Sequence, residues 1–298
     1  MAPAAEAATL ATASGSGNGW VAFKVSTTAW QTTATFAFRG TGPIGENAFN
    51  LFFTNAQGAV FSYTTVLFLD RDQGFLASVE GPMNVAVTHG GMAAGPEPYA
   101  WIDILYQVSF PAGTWNFVAM GAGTQNGWSA SLDGPTSLTV LGQTSGSNAI
   151  FREAKDFRGT LNLEAYDVPA LGARAMLGTS LSNTVGNLHY GSFIAVSPKY
   201  ACAGYCVYPP PVAQLSVTSP SNVRTTAGTL QTSGWSGGTL TGIVFLGGMA
   251  GTYRYTVDHE AEASSAFGTG NPCPGTLGCT RPYETKIMLA AADVRLPA

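Results

Sequence analysis

Residues 101–110 read WIDILYQVSF and contain the pattern that decides the fold. Apolar or aromatic side chains stand at every second position, namely Ile102, Ile104, Tyr106, Val108 and Phe110. In a β-strand, successive side chains point to opposite faces, so a period of two places these five on one face. The stretch therefore predicts a strand with one face buried in a core.

Similar alternating stretches recur along the whole chain. They lie at 20–25, 33–38, 61–69, 85–88, 114–120, 137–141, 160–165, 215–218, 242–246 and 252–257. Pairs such as Asn18-Gly19, Asn126-Gly127 and Asp133-Gly134 separate them, and these pairs favour tight turns between antiparallel strands. The pattern predicts an all-β chain.

A short internal sequence repeat, called the echo below, suggests that the chain has two halves. The sequence AGTWNF at 112–117 returns as AGTYRY at 250–255, and the same offset relates Gly40-Thr41 to Gly178-Thr179. We therefore expect two tandem antiparallel β-sandwiches, jelly-roll or immunoglobulin-like, with Gly/Pro-rich loops.

Composition changes near the expected boundary between the halves. A Gly/Ser-rich stretch at 142–148 precedes a dense cluster of charges. The expected organisation is a flexible N-terminal segment (1–18), a first sandwich (19–150), a charged linker (151–158) and a second sandwich (159–298) that carries all four cysteines.

Charge is scarce in this chain of 298 residues, since only 10% are charged while 45% are hydrophobic. The net charge of -4 provides no basic surface for nucleic acid. No apolar run reaches the roughly 18 residues that a membrane helix needs, so membrane insertion is not expected. Residues 1–18 lack the basic start and apolar centre of a signal peptide, which leaves open whether Met1 is native or replaces one.

The cysteines are Cys202, Cys206, Cys273 and Cys279. Their spacings differ from those of structural zinc sites, and four cysteines allow three disulfide pairings. Disulfides favour an extracellular, cell-surface or virion setting, and the pairing stays open.

Two motifs resemble catalytic signatures but lack the required context. GTGPIG at 40–45 matches a dinucleotide fingerprint, yet Pro43 and the aromatic run after it predict no helix to receive a pyrophosphate. GWSGG at 234–238 matches a nucleophile elbow, yet a strand pattern follows it instead of a helix. Both are interpreted as turns between strands.

One sequence feature suggests a metal ion. Asp70 and Asp72 are spaced like calcium ligands, and Glu80 could contribute from a distance. The next alternate position is Gly74, so the set is incomplete and a charged hairpin tip is the competing interpretation. Calcium is the one cofactor that the sequence suggests.

A second candidate is an acidic face around a histidine. Asp258, Glu260 and Glu262 share one face of a predicted strand, and His259 lies among them. Such a face could bind a cation or serve acid–base chemistry. The alternative is the solvated face of an exposed strand.

Three tryptophans lie in Gly/Ser/Thr-rich surroundings that predict turns, namely Trp30, Trp128 and Trp235. Exposed aromatic rings can stack on the apolar faces of sugars. We expect these three to be the candidate ligand-binding rings, although most aromatic residues of an all-β protein fill its core.

The missing catalytic motifs favour a non-catalytic role. We expect a structural subunit of an extracellular or virion-type assembly, such as a capsid, spike or surface layer, which pairs with copies of itself through sandwich faces. One alternative is a secreted module that binds carbohydrate or a cell surface. Another is a polysaccharide-active enzyme whose site is assembled from distant loops.

Overall fold

The computed structural model describes residues 7–44, 47–68, 75–90, 99–123, 126–164, 173–196, 212–231, 239–240, 245–247, 250–263 and 278–298. In these residues every regular element is a β-strand, and every strand pairing is antiparallel. The all-β prediction is confirmed.

The described residues form twenty strands. They are β1 (Ala8–Gly15), β2 (Gly19–Thr27), β3 (Thr32–Ile44), β4 (Asn47–Asn55), β5 (Val60–Phe68), β6 (Phe75–Glu80), β7 (Met83–Gly90), β8 (Tyr99–Phe110), β9 (Gly113–Ala122), β10 (Gly127–Gly134), β11 (Thr139–Gly146), β12 (Ile150–Glu164), β13 (Ala173–Val185), β14 (Leu188–Val196), β15 (Val212–Thr218), β16 (Arg224–Gln231), β17 (Thr239–Leu240), β18 (Phe245–Gly247), β19 (Gly251–Ala263) and β20 (Gly278–Val294).

These strands build four sheets, named A to D here. Sheet A has the order β1-β10-β3-β8-β7, and sheet B has the order β11-β2-β9-β4-β5-β6. Sheet C has the order β12-β20-β14-β17, with β18 also paired to β14, and sheet D has the order β13-β19-β15-β16. The sequence halves therefore remain separate in the sheets, since β1 to β11 build A and B while β12 to β20 build C and D.

The two halves repeat one strand order. In the first half, the neighbours run β1-β10-β3-β8 in one sheet and β2-β9-β4-β5 in the other. The second half follows the same order, β12-β20-β14-β17 and β13-β19-β15-β16. Because β9 and β19 occupy the same place in this order, the AGTWNF and AGTYRY echo joins equivalent strands. Each begins with a glycine at positive φ, 143° at Gly113 and 131° at Gly251.

The second, shorter echo does not join equivalent strands. Gly40 lies in β3 of sheet A, whereas Gly178 lies in β13 of sheet D, next to β19. The expected turn at 40–45 is also corrected, because β3 continues to Ile44 and pairs with Tyr99 of β8.

Sheets A and B enclose the first core. The 101–110 stretch lies in β8, and its five alternating side chains are all buried, as predicted. Phe53 and Phe117 of sheet B pack in the same core with ring centroids 4.5 Å apart. Burial of such a ring stabilises the fold by roughly 1.5–3 kcal/mol.

Sheet B is buried on its second face as well. Trp20, Phe52 and Met120 point away from sheet A and pack against Tyr190 and Met288 of sheet C. The rings of Phe52 and Tyr190 lie 5.2 Å apart. A third core joins sheets C and D through residues such as Phe193 of β14 and Tyr255 of β19. The four sheets therefore stack in the order A, B, C, D.

The connection between the halves is held by hydrogen bonds. The indole Nε1 of Trp20 donates to Oδ1 of Asn148, and Nδ2 of Asn148 donates to the carbonyl of Asp293 at 2.7 Å. Asn148 thus ties β2 of sheet B to the end of β20 in sheet C. Together with the B–C core, this contact opposes free movement of one half on the other.

Two expectations about domain organisation need correction, namely the flexible segment and the charged linker. Segment 1–18 contains β1, which pairs with β10, and segment 151–158 lies within β12, which pairs with β20. Both are edge strands, and an edge strand tolerates charged or small polar side chains because one of its sides meets solvent. The two sandwiches also share the B–C core, so their independence as domains is not confirmed.

Candidate interaction surface

The outer face of sheet A is a regular grid of small side chains. Its first row across the five strands consists of Thr12, Ser131, Ala37, Leu105 and Ala86, and its second row of Ser14, Ser129, Arg39, Asp103 and Thr88. These residues alternate with the buried ones along each strand, so all ten lie on the side away from the A–B core. We call them the outer face of sheet A.

This face is concave and forms a groove of about 800 Å³. Short side chains, mostly serine, threonine and alanine, keep the surface close to the backbone. Leu105 is the exception, since it stands near the middle with 47% of its surface exposed. Ala37 and Ala86 flank Leu105 in the first row, so a narrow apolar band reaches the edge of the sheet.

The charges on this face compensate each other. Nε of Arg39 lies 3.4 Å from Oδ1 of Asp103, and the guanidinium lies 4.9 Å from the centroid of the Trp101 ring. A partly exposed pair of this kind stabilises the fold by about 0–1 kcal/mol. The pair matters more for the surface than for stability, because its opposite charges leave the two rows without net charge.

The structure describes two of the three candidate tryptophans and places them differently. Trp30 is 91% exposed in the β2–β3 turn, where the hydroxyls of Thr27 and Thr32 bond each other at 2.8 Å. Trp128 is only 5% exposed, because it lies on the inner face of β10 and stacks on Phe38 at 5.9 Å. Trp235 lies outside the described residues.

Trp101 is the aromatic residue that the sequence reasoning missed. It precedes Ile102 in the alternating stretch, so it stands on the outer face of β8 beside Arg39. Trp101 stands at an odd position of the stretch, whereas the buried apolar residues stand at the even positions. The alternation therefore predicts that its side chain points outward. Gly90 of β7 allows the ring to lie flat, since a Cβ there would come within 2.7 Å of the indole.

The calcium candidates are only partly described. Glu80 is exposed at the end of β6 and pairs in register with Tyr63 of β5. Burial, and then the nearby Glu80 carboxylate, raise the pKa of Tyr63. Asp70 and Asp72 lie outside the described residues, so calcium binding there stays a prediction. Within the described part of the chain, no three His, Cys, Asp or Glu residues group closely enough to hold a metal ion.

The acidic face lies on β19, in the interior of sheet D. Asp258 forms an ion pair with Arg224, whose Nε also donates to Oγ of Ser216 at 2.8 Å. This network holds the Asp258 carboxylate against Arg224, with 30% of the Asp258 side chain exposed. The strand continues through His259, Glu260 and Glu262. Their backbones pair with Leu177, Met176 and Arg174 of β13, respectively, and the side chains of these three β19 residues lie outside the description.

A histidine that the sequence reasoning did not select is buried between sheets C and D. His189 is 1% exposed, its Nε2 shares a hydrogen bond with the Tyr255 hydroxyl, and its ring stacks on Tyr253 at 4.6 Å. Burial lowers the pKa of His189 to about 4, with the Asp293 carboxylate acting in the opposite direction. Burial also raises the pKa of Tyr255. The cluster is therefore neutral at pH 7 and acts as a polar part of the core.

The cysteine predictions are not tested. Cys202, Cys206 and Cys273 lie outside the described residues. Cys279 lies in β20, where its backbone is opposite Leu163 of β12. The disulfides stay a prediction.

The fold defines an all-β protein of stacked antiparallel sheets with a broad, nearly uncharged outer face. In the described residues, no helix is long and apolar enough to cross a membrane. No protein-family model and no curated protein match the chain.

Similar solved structures include two from infectious bursal disease virus. The structure of the Gt strain has a TM-score of 0.28 and 8% identity, with 98% of this chain and 74% of that chain covered. The VP2 subviral particle has a TM-score of 0.27 and 7% identity, with 98% and 77% covered. TM-scores this low do not establish a shared fold.

Proposed function

We propose that this chain is a non-catalytic structural subunit that associates with copies of itself through sheet A. The observation that carries the proposal is the outer face of sheet A, which is broad, concave and free of net charge, with Leu105 exposed near its centre. The cores of protein interfaces are poor in charged residues, and contiguous apolar patches, such as the band of Ala37, Leu105 and Ala86, mark contacts more often than single exposed side chains do. A second copy would shield Leu105 from water.

The repeated strand order supports the same role. Eight strands in two sheets, ordered as in each half here, are the arrangement of a jelly roll, so we infer two jelly rolls in tandem. Jelly rolls build many viral shells as well as lectins. One fold serves many functions, so the outer face of sheet A carries the proposal. An extracellular or virion-type shell is the setting we propose.

Two polar groups of the described residues fit a non-catalytic role. A general acid or base must lie within hydrogen-bond reach of a substrate. The His189 imidazole is enclosed between two sheets and cannot meet one, and the Asp258 carboxylate is engaged by Arg224 in an ion pair.

Replacing Leu105 by glutamate should weaken self-association at least tenfold. The change places a charge where the proposed interface is apolar, and burial of a leucine contributes roughly 1.5–3 kcal/mol. Light scattering across a micromolar concentration series measures the effect.

The matched control is Val223→Glu. Val223 is 58% exposed in the β15–β16 turn of sheet D, at the other end of the stack, so this variant should associate like the wild type. Equal association of Leu105→Glu and the wild type would contradict a contact through the outer face of sheet A.

A second candidate function is glycan binding in the same groove. The guanidinium of Arg39 donates hydrogen bonds and the carboxylate of Asp103 accepts them, which suits neighbouring hydroxyls of a sugar. Serine and threonine side chains line the rest of the groove. On this alternative, a monomeric chain should bind on a glycan array and Arg39→Ala should abolish the signal. Retained binding by Arg39→Ala would exclude this groove as the glycan site.

A further inference from the structure

Among the described strands, β7 forms one edge of sheet A and pairs only with β8. β7 reads MNVAVTHG, contains no charged residue or proline, and pairs with β8 from Met83 to Gly90 without a shift in register. Its inward residues Met83, Val85 and Val87 are only half-buried. A regular, uncharged edge strand is a template for another strand, because one row of its backbone groups points outward.

The other edge strands in the described part of the chain carry features that discourage pairing. A shift in register marks β1, β11, β12 and β16, while β17 has only two residues. β6 ends in Glu80 and β13 contains Arg174. Bulges, charges and short length are the usual protections of sheet edges. β7 lacks all three.

The sequence of β7 is complementary to itself around Ala86. In an antiparallel pair centred on this residue, Val85 of one copy lies opposite Val87 of the other, and Asn84 lies opposite Thr88. The first pair is β-branched on the inward face, and the second is polar on the outward face, so each pair matches in character. The two Ala86 residues meet at the centre.

We infer that two copies of this chain join through antiparallel pairing of their β7 strands, with Ala86 opposite Ala86 across a two-fold axis. The inference rests on the proposed function and identifies the surface at which assembly begins. The two sheets A would become one ten-stranded sheet, since each has five strands. The apolar bands would also meet, because Leu105 is the neighbour of Ala86 in each copy.

The geometry favours this pairing over a contact between β7 and β1. In β1, the register with β10 shifts between Thr9 and Ala11, which interrupts the regular spacing that a new strand needs. A β7–β1 contact would also be heterologous, whereas β7–β7 pairing uses the same surface twice and closes as a dimer.

Charge variants at Ala86 test the pairing directly. Ala86 is exposed, so lysine and glutamate both fit without entering the core. Like charges directly opposite each other destabilise a strand pair, so Ala86→Lys and Ala86→Glu should each weaken the dimer roughly fivefold in sedimentation velocity. An equimolar mixture of the two variants should restore association, because the opposite residues then carry opposite charges.

Val223→Lys is the matched control. Val223 is 58% exposed in the β15–β16 turn of sheet D, outside the outer face of sheet A, so this variant should associate like the wild type. Wild-type association of Ala86→Lys and Ala86→Glu, or an equal loss of association in Val223→Lys, would overturn the β7 inference and leave self-association intact. A wild type that stays monomeric at tens of micromolar would overturn the proposed function, and the β7 inference with it.

Discussion

Replacing Phe52 by alanine should lower the free energy of unfolding by about 3–5 kcal/mol. Phe52 has no exposed surface and lies between sheets B and C, with its ring 5.2 Å from Tyr190 and 6.4 Å from Tyr63. Truncation leaves a cavity at the contact that joins the two halves. The loss is a large part of the roughly 5–15 kcal/mol by which a folded domain is stable.

Urea unfolding measures this loss, and Phe61→Ala is its control. Phe61 is 38% exposed and contacts the edge of the first core, so its truncation should cost roughly 1 kcal/mol. Hydrogen exchange adds a test of the stack. In Phe52→Ala, amides of β14 and β20 should exchange faster as well as those of β4. Faster exchange confined to sheet B would contradict a shared B–C core.

Stability should fall by about 3 kcal/mol between pH 7 and pH 4 because of His189. Burial lowers the folded-state pKa of His189 from 6.5 to about 4, so between these values the unfolded chain binds a proton that the folded chain does not. The stability that depends on a neutral His189 is fully present above pH 6.5 and is lost as the pH falls towards 4. Tyr253 and Tyr255 face the imidazole from β19, and Asp293 of β20 offsets part of the shift.

His189→Gln separates this effect from general acid unfolding. Glutamine can still bond the Tyr255 hydroxyl and does not titrate, so the variant should lose most of the pH dependence between 4 and 6.5, at some cost in stability at pH 7. Urea midpoints measured across this range make the comparison. An unchanged slope in His189→Gln would assign the pH dependence to other groups.

Alternation in the sequence predicted the all-β class and the buried face of β8, but it did not indicate every strand, and β1, β4 and β14 lie outside the predicted stretches. WIDILYQVSF shows the buried face of β8, since Ile104 and Tyr106 are buried while Leu105 between them is exposed. The same rule applied to Trp101 predicts an outward ring. The error at Trp128 arose because the nearby glycines indicated a turn, whereas Gly127 is the first residue of β10 and the tryptophan already points inward.

The B–C core had a sequence signal of a different kind. Residues 20–25 and 114–120 were interpreted as alternating, but the runs GWVAF at 19–23 and FVAM at 117–120 within or beside them are apolar without interruption. Continuous apolar runs are typical of strands that are buried on both faces. In β2 and β9 these runs lie in sheet B, an inner sheet of the stack that is covered by sheet A on one face and sheet C on the other.

The outer face of sheet A could not be predicted from local sequence. Its first row joins five strands that are distant along the chain, from Thr12 to Ser131. Local patterns show which residues point outward, but the crossovers of the chain decide which strands are neighbours. The prediction of a linker at 151–158 was wrong for a related reason. These residues pair with β20 through their backbone, and backbone pairing cannot be recognised from the side chains in the sequence.

Electron microscopy of the purified full chain at tens of micromolar tests self-association through sheet A most directly. We predict symmetric assemblies of several copies in which sheet A of one copy continues into, or packs against, sheet A of its neighbour. Dispersed single copies with the Leu105 face open to solvent would contradict the proposal.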